Sequence, residues 1–344
     1  MHEKVKLGII GCGRVSAAHL EACQNLREQV EIASISDTNE ERLVGFGEGT
    51  RIKKRYSSYH DLLKDDEVEA VVICLPHHLH HLVTIEALQA GKHVLVEKPM
   101  ALNYEQAKEM VATADSVKKI LMVGQCRRFS NAAMEMKKMT EKGEIGEIFR
   151  IIVNFLCYFE KPPVPWWSDK DLVGESLVTI LQGSHALDEV CWLINRMPNR
   201  VFASSFKWRF TDDDETDIFL EYKKITASVH LSLNTRPPLI HEVLIIGSEG
   251  TIKLSEYNTD KPFSFGYRLM LNGKTLMDGP QQPTNFTLQL EEFINSIRKK
   301  REPIANGREV AATTMRLLSA ALESISSRKI ITLSYNSLLY FIRR

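Results

Sequence analysis

The sequence predicts an α/β protein: an N-terminal doubly wound parallel sheet of the Rossmann type, then a C-terminal α+β domain built on an open, mostly antiparallel sheet. Three observations carry this. The opening stretch Val5 to Leu20 reads as strand, tight glycine turn and helix. Strand and helix patterns then alternate regularly as far as Gly124. Beyond about residue 146 the texture changes to successive strands joined by turns.

In the opening stretch the apolar run Leu7 to Ile10 breaks at Gly11-Cys12-Gly13, and apolar residues resume at helical spacing with Val15, Ala18 and Leu20. Gly11 permits the turn. Gly13 lets main chain approach a pyrophosphate, whose charge sits on a helix N-terminus where free N–H groups favour an anion. Ser16 stands where the third glycine of the pattern belongs, and it is small enough to keep helix near strand. A second buried strand, Glu31 to Ser36, ends on Asp37, at the offset of about 20 residues expected of a ribose-binding carboxylate. Such a carboxylate accepts both adenosine ribose hydroxyls and repels a 2′-phosphate, which selects NAD over NADP. The alternative is that Asp37 caps the helix beginning near Asn39.

A helix near Asn39 to Glu48, an edge strand near Ile52 and a helix over Tyr59 to Leu63 follow. Ala70 to Leu75 is a continuous apolar strand of the kind buried on both faces, ending at Pro76. A helix over His80 to Ala90 leads to the strand His93 to Val96, a helix from Asn103 to Val117 and the strand Ile120 to Gly124. These six strands complete the first domain, 1–126, and one further helix spans about Asn131 to Lys142. In the second domain, 127–344, strands are expected around Ile148 to Phe159, Val201 to Phe210, Asp217 to Tyr222, Ile225 to Leu233, Val243 to Ile246 and Thr251 to Leu254. Helices Thr287 to Lys299 and Glu309 to Ser326 close that domain before a strand at Ile330 to Leu333, and the tail 334–344 has no assignment.

The 344 residues suit about two domains. Lysine plus arginine equal aspartate plus glutamate at 44 each, with no basic block, so neither nucleic acid nor an anionic membrane is indicated. The early first strand leaves no room for a secretory leader, no run reaches the length of a membrane span, and the six cysteines show no C-x-x-C pair. The expectation is a cytoplasmic protein with reduced cysteines and a small-molecule substrate.

Glu97-Lys98-Pro99 follows the fifth strand, at the carboxyl edge where parallel sheets bind ligands. An ammonium there can hold a substrate hydroxyl and stabilise the alkoxide that forms as hydride leaves. The alternative is a solvated loop lysine beside a salt-bridging glutamate.

The order Gly11-Cys12-Gly13-Arg14, Asp37, Cys74-Leu75-Pro76 with His78 and His80, Glu97-Lys98-Pro99, Arg128-Phe129 and then a β-rich domain resembles the glucose-fructose oxidoreductase, inositol dehydrogenase and MocA family. The resemblance implies a pyridine nucleotide held by Gly11, Gly13, Arg14, Val15 and Asp37 together with Leu75, Pro76, His80, Glu97 and Lys98. It also implies a cis Lys98–Pro99 bond and an open sheet that makes a homo-oligomer contact. Gly183-Ser184-His185-Ala186-Leu187-Asp188 resembles the family's Asp-x-Gly-x-His-x-x-Asp stretch, with leucine at 181 in place of the leading aspartate. Gly174-Glu175-Ser176 replaces a glycine-rich run, and Trp167 stands where an arginine often follows Trp166.

The catalytic pair is then Lys98 and His185, the imidazole taking the hydroxyl proton. Asp188 is read as the orienter of His185 or a helix-face residue, and is counted among the substrate contacts. Arg127 and Arg128 either meet an anionic substrate or form salt bridges, and Trp166 and Trp167 either wall a sugar pocket or pack. The histidines 77, 78, 80 and 81 lack the cysteine or paired carboxylates of a metal site, and none is expected. The expected activity is hydride transfer between NAD and a secondary hydroxyl of a sugar, cyclitol or related polyol. Alternatives are a nucleotide-binding sensor without turnover and glycoside cleavage through transient oxidation.

Overall fold

The computed structural model describes residues 3–48, 52–210 and 212–333; the tail 334–344 lies outside them. The first part of the chain runs β1 (Val5–Ile10), α1 (Ser16–Asn25), β2 (Val30–Ser36), α2 (Glu40–Gly45), β3 (Lys54–Tyr56), α3 (Tyr59–Leu63), β4 (Ala70–Ile73), α4 (His77–Gln89), β5 (His93–Glu97), α5 (Tyr104–Val117) and β6 (Leu121–Gly124). All six strands are parallel, in the order β3-β2-β1-β4-β5-β6. The order reverses between β1 and β4, and such a reversal opens a crevice at the carboxyl ends of the strands. All four residues of β4 have no exposed surface, as a strand covered on both faces requires.

The second part continues with α6 (Asn131–Glu141), β7 (Ile148–Leu156), α7 (Lys170–Val173), α8 (Ser184–Ile194), β8 (Arg200–Phe206), β9 (Glu215–Glu221), β10 (Thr226–Ser232), β11 (Ile240–Gly247), β12 (Gly250–Asn258), β13 (Phe265–Leu271) and β14 (Lys274–Pro280). Then come α9 (Asn285–Lys299), α10 (Gly307–Val310), α11 (Arg316–Ser327) and the two-residue β15 (Ile331–Thr332). The nine-stranded sheet has the order β14-β13-β12-β11-β7-β10-β9-β8-β15, in which β7 and β10 pair in parallel and the other neighbours antiparallel. One face is apolar and buried, with Ile151, Val153 and Phe155 of β7 beside Val229 and Leu231 of β10. On that side Ser324 of α11 accepts the Ala203 N–H of β8 at 2.9 Å. The other face keeps Phe202 and Phe219 exposed, and the two are direct cross-strand partners.

The chain forms two compact units. The first holds the chain up to Ala101, Glu105–Cys126 and also Pro283–Arg308; the second holds Leu102–Tyr104, Arg127–Gln282 and the chain from Glu309 on. Helix α9, expected to close the second domain, is therefore part of the first. Its buried side, Phe286, Leu290, Phe293 and Ile294, accounts for this, each such side chain contributing roughly 1.5–3 kcal/mol on burial. Polar contacts fix the docking: Asn25 of α1 donates to Thr287 at 3.0 Å, and Arg298 donates to the Gln29 carbonyl at 2.9 Å. Thr284 caps the helix by accepting the Thr287 N–H.

Strands β13 and β14 are absent from the sequence reading. Their signal is the Asn272-Gly273 turn, where both residues have positive φ (51° and 80°), as a two-residue hairpin of matching twist requires. Strands β7 and β8 stop at Leu156 and Phe206, three and four residues before the expected ends.

Candidate active site

In the first unit the loops after β1, β2, β4 and β5 open at the same sheet edge. Gly11 has φ 94°, and a Cβ on it would lie 2.5 Å from the Cys74 carbonyl oxygen, so this turn admits glycine alone. A Cβ on Gly13 would meet nothing within 4 Å, which leaves its main chain open to a ligand. Ser16 is fully buried and its hydroxyl donates to the Gly13 carbonyl at 2.5 Å, tying the first turn of α1 to the glycine loop. No acidic residue stands in that first turn to compete with an anion. Arg14 is exposed and Val15 half-buried beside it.

Asp37 is joined to this turn. One carboxylate oxygen accepts the Cys12 N–H at 2.7 Å and the other the Asn39 N–H at 2.8 Å. The cap of α2 is Asn39, whose side chain accepts the Arg42 N–H. Asp37 is thereby left to present its carboxylate beside the glycine loop, and each oxygen keeps a lone pair for a ribose hydroxyl. The open cradle at Gly13, the unopposed helix start and the fixed carboxylate fit an adenine dinucleotide.

The Lys98–Pro99 bond is cis. Lys98 is half-buried at the end of β5, and its neighbour Glu97 is 7% exposed. Glu97 faces inward: one carboxylate oxygen lies 2.8 Å from Nε2 of His19, on α1, and the other accepts the Lys98 N–H at 3.2 Å. These contacts anchor it to α1 and to the loop that carries Lys98, and each oxygen keeps a lone pair for the cofactor contact expected from the sequence. His80 is likewise spent on main chain. Its Nδ1 lies 2.7 Å from the Pro99 carbonyl and its Nε2 2.8 Å from the Leu75 carbonyl, so the ring ties the Leu75-Pro76 turn to the loop that carries Lys98. Burial pulls its pKa down against the two carbonyls. His19 has no role in the sequence reading; only its buried position on α1, beside Ala18 and Ala22, hints at one.

In the second unit a five-residue π-helical turn, Thr179–Gly183, leads directly into α8. His185 is 7% exposed and its ring packs on Phe155 of β7, centroids 6.2 Å apart. Asp188, one turn on, does not orient it. Both Asp188 oxygens hold Arg128, Oδ2 at 2.7 Å from Nε and Oδ1 at 2.8 Å from Nη2, and Thr314 donates to Oδ1 at 2.7 Å. Arg128 also donates to Glu309 at 2.8 Å and is 1% exposed. Arg128 and Asp188 are therefore structural partners, not substrate contacts: a guanidinium with two carboxylates at hand inside a protein has no reason to leave them.

Arg127 is similarly engaged. It donates to Glu256 at 2.7 Å and stacks 4.5 Å from the centre of the Phe155 ring. His241 completes this buried group, its Nε2 2.9 Å from Glu189 and its Nδ1 3.5 Å from Glu256. Burial opposes the imidazolium, and the Glu189 and Glu256 carboxylates overcome it and raise the His241 pKa to about 9. The Glu256 pKa falls to about 2, with Arg127 and His241 overriding burial. Trp166 and Trp167 lie half-buried in a short turn, Pro165–Ser168, with Trp167 edge-on to Phe159 at 5.4 Å. Among the described residues no helix is long and apolar enough to cross a membrane.

This geometry is that of a known class. Residues 5–125 match the oxidoreductase family with an NAD-binding Rossmann fold, and residues 133–253 match the GFO/IDH/MocA C-terminal domain. The chain belongs to the GFO/IDH/MocA oxidoreductase family, and its cofactor is NAD. It is 29% identical over 287 residues to trans-1,2-dihydrobenzene-1,2-diol dehydrogenase of Xenopus laevis, which covers 82% of this chain and 84% of that protein. To inositol 2-dehydrogenase of Salmonella typhimurium it is 28% identical over 193 residues, 56% of this chain and 55% of the other. Its fold matches the WlbA dehydrogenase of Bordetella pertussis, solved with NADH and UDP-GlcNAcA, with a TM-score of 0.81 and 26% identity over 97% of this chain and 98% of that one.

Proposed function

We propose that this protein oxidises a secondary hydroxyl of a sugar, cyclitol or related polyol, with Lys98 and His185 managing the hydroxyl proton. Bound NAD supplies the hydride acceptor. Lys98, as an ammonium, holds the hydroxyl oxygen and stabilises the negative charge that grows on it as the carbinol C–H bond breaks. His185 takes the hydroxyl proton, leaving a carbonyl product. Asp37 holds the adenosine ribose, the Gly11–Gly13 turn and the start of α1 hold the pyrophosphate, and Glu97 and His80 keep the Lys98 loop in place.

The observation that carries this reading is the placement of Lys98. It is half-buried at the carboxyl end of β5, on the sheet edge that also carries the glycine turn and Asp37. The relatives support the substrate class: one is a dihydrodiol dehydrogenase, one an inositol dehydrogenase, and one was crystallised with a nucleotide sugar. A polyol panel with NAD, followed at the absorbance of NADH, tests the reading. Turnover on at least one member, lost by roughly a hundredfold or more in His185→Ala, is the expected result. Nucleotide binding without turnover on any member contradicts it.

We further propose a cytoplasmic location and a homo-oligomer that covers the outer face of the nine-stranded sheet. No disulfide joins the six cysteines among the described residues, which suits a reducing compartment. Exposed Phe202, Phe206 and Phe219 supply the apolar patch such a contact needs.

A further inference from the structure

The turn that leads into α8 departs from the family pattern at position 181, where leucine, 6% exposed, brings no carboxylate. The next residue is Gln182. Its side chain is 5% exposed, and Nε2 donates to Sγ of Cys157 at 2.8 Å. The carbonyl end, Oε1, is buried and has no hydrogen-bond partner among the described residues. A buried carbonyl left unpaired is costly, and one beside a reacting side chain calls for a partner that a bound group can supply.

Its surroundings say which group. Gln182 and His185 are three residues apart on one helical segment, a spacing that puts side chains on neighbouring positions of one face. Both lean on the same face of one strand line. Phe155 packs on the His185 ring and Cys157 takes the Gln182 amide, and residues two apart along a strand point the same way. The strand line continues as far as Cys157, whose N–H donates to the Ser232 carbonyl at 2.9 Å. Burial pushes the Cys157 thiol up to about 12, so it stays uncharged beside the amide.

We infer that Gln182 binds substrate, its amide carbonyl accepting a hydrogen bond from a hydroxyl adjacent to the one being oxidised. This rests on the polyol dehydrogenase reading. An amide suits the task because it neither gives nor takes a proton near neutral pH, which leaves His185 as the proton acceptor, and it adds no charge next to an uncharged sugar. Gln182 is thereby a positioning and specificity residue.

The test pairs enzyme and substrate deletions. The best polyol from the panel is compared with its monodeoxy analogues, on the wild type and on Gln182→Leu, with NADH affinity read by fluorescence titration and folding by thermal unfolding. In the wild type, removal of one hydroxyl beside the reacting carbon raises KM roughly tenfold or more. In Gln182→Leu the full substrate has that raised KM, deletion of the same hydroxyl costs nothing further, and NADH affinity is unchanged. Two results overturn the inference: a KM for Gln182→Leu equal to that of the wild type, or a wild type insensitive to loss of every neighbouring hydroxyl. The second needs no variant and holds even where Gln182→Leu fails to fold. A wild type that oxidises no polyol overturns the activity itself, a separate outcome from either.

Discussion

His19 and Glu97 meet at 2.8 Å inside the parallel-sheet unit, linking the helix that follows the glycine turn to the residue before Lys98. His19 has no exposed surface, and its ring sits edge-on to Phe286 of α9 at 5.2 Å. The pair joins the helix proposed to hold the pyrophosphate to the loop that carries Lys98. Replacing His19 by alanine strands a buried carboxylate and opens space beside Phe286. The expected loss is about 2–4 kcal/mol in urea unfolding, with kcat falling more than NADH affinity. A variant as stable and as active as the wild type would show the pair to be idle.

In the proposed cofactor site Asp37 sets the choice of nucleotide. Asp37→Ala removes the carboxylate that faces a ribose 2′ position, and with it the repulsion of a phosphate there. NADH affinity is expected to fall and NADPH affinity to rise, shifting their ratio roughly tenfold or more in fluorescence titrations. An unchanged ratio would remove Asp37 from the cofactor site.

Arg128 and Asp188 separate structural from substrate roles. Arg128→Met leaves the Asp188 carboxylate buried without its main partner, and the expected cost is about 3–5 kcal/mol of stability. The double variant Arg128→Met with Asp188→Leu should recover much of that loss, since an apolar pair can replace a buried ionic one. A stable Arg128→Met protein with a raised KM for substrate would return the arginine to the substrate site.

The Arg127, His241, Glu189 and Glu256 group makes stability depend on pH in two directions. The His241 pKa is raised from 6.5 to about 9, so its contribution is full below about 6.5 and is lost as pH rises through about 9. The Glu256 pKa is lowered from 4.5 to about 2, so its contribution is full above about 4.5 and is lost as pH falls toward 2. This group's share of the unfolding free energy is thus flat between those limits and declines on both sides. His241→Gln should abolish the alkaline decline attributable to the pair, an effect of a few kcal/mol in urea titrations at successive pH values. An identical alkaline slope in the variant would contradict the assignment.

Much of this was legible in the sequence because it is local. The strand, glycine turn and helix at Val5 to Leu20 and the continuous apolar run at Ala70 are patterns a short window contains, and they placed the parallel sheet and its cofactor edge. The pairing of Arg128 with Asp188, 60 residues away, is not of that kind. Two charged side chains near a motif look alike whether they face a ligand or each other. Helix α9 shows the same limit: its apolar face declares that it is buried, and nothing in its own residues says that the partner is α1. The Asn272-Gly273 turn is a local hairpin signal, but the strands beside it lack a clean alternation and do not declare themselves. Gln182 gave no signal at all until its carbonyl was seen without a partner.

The central claim is that Lys98 acts on the reacting hydroxyl and not on the nucleotide. Its most direct test is Lys98→Ala measured two ways, by NADH affinity and by kcat on the best polyol. The expected result is NADH binding within about twofold of the wild type and a kcat reduced roughly a hundredfold to ten-thousandfold. A variant that keeps its kcat would contradict the account.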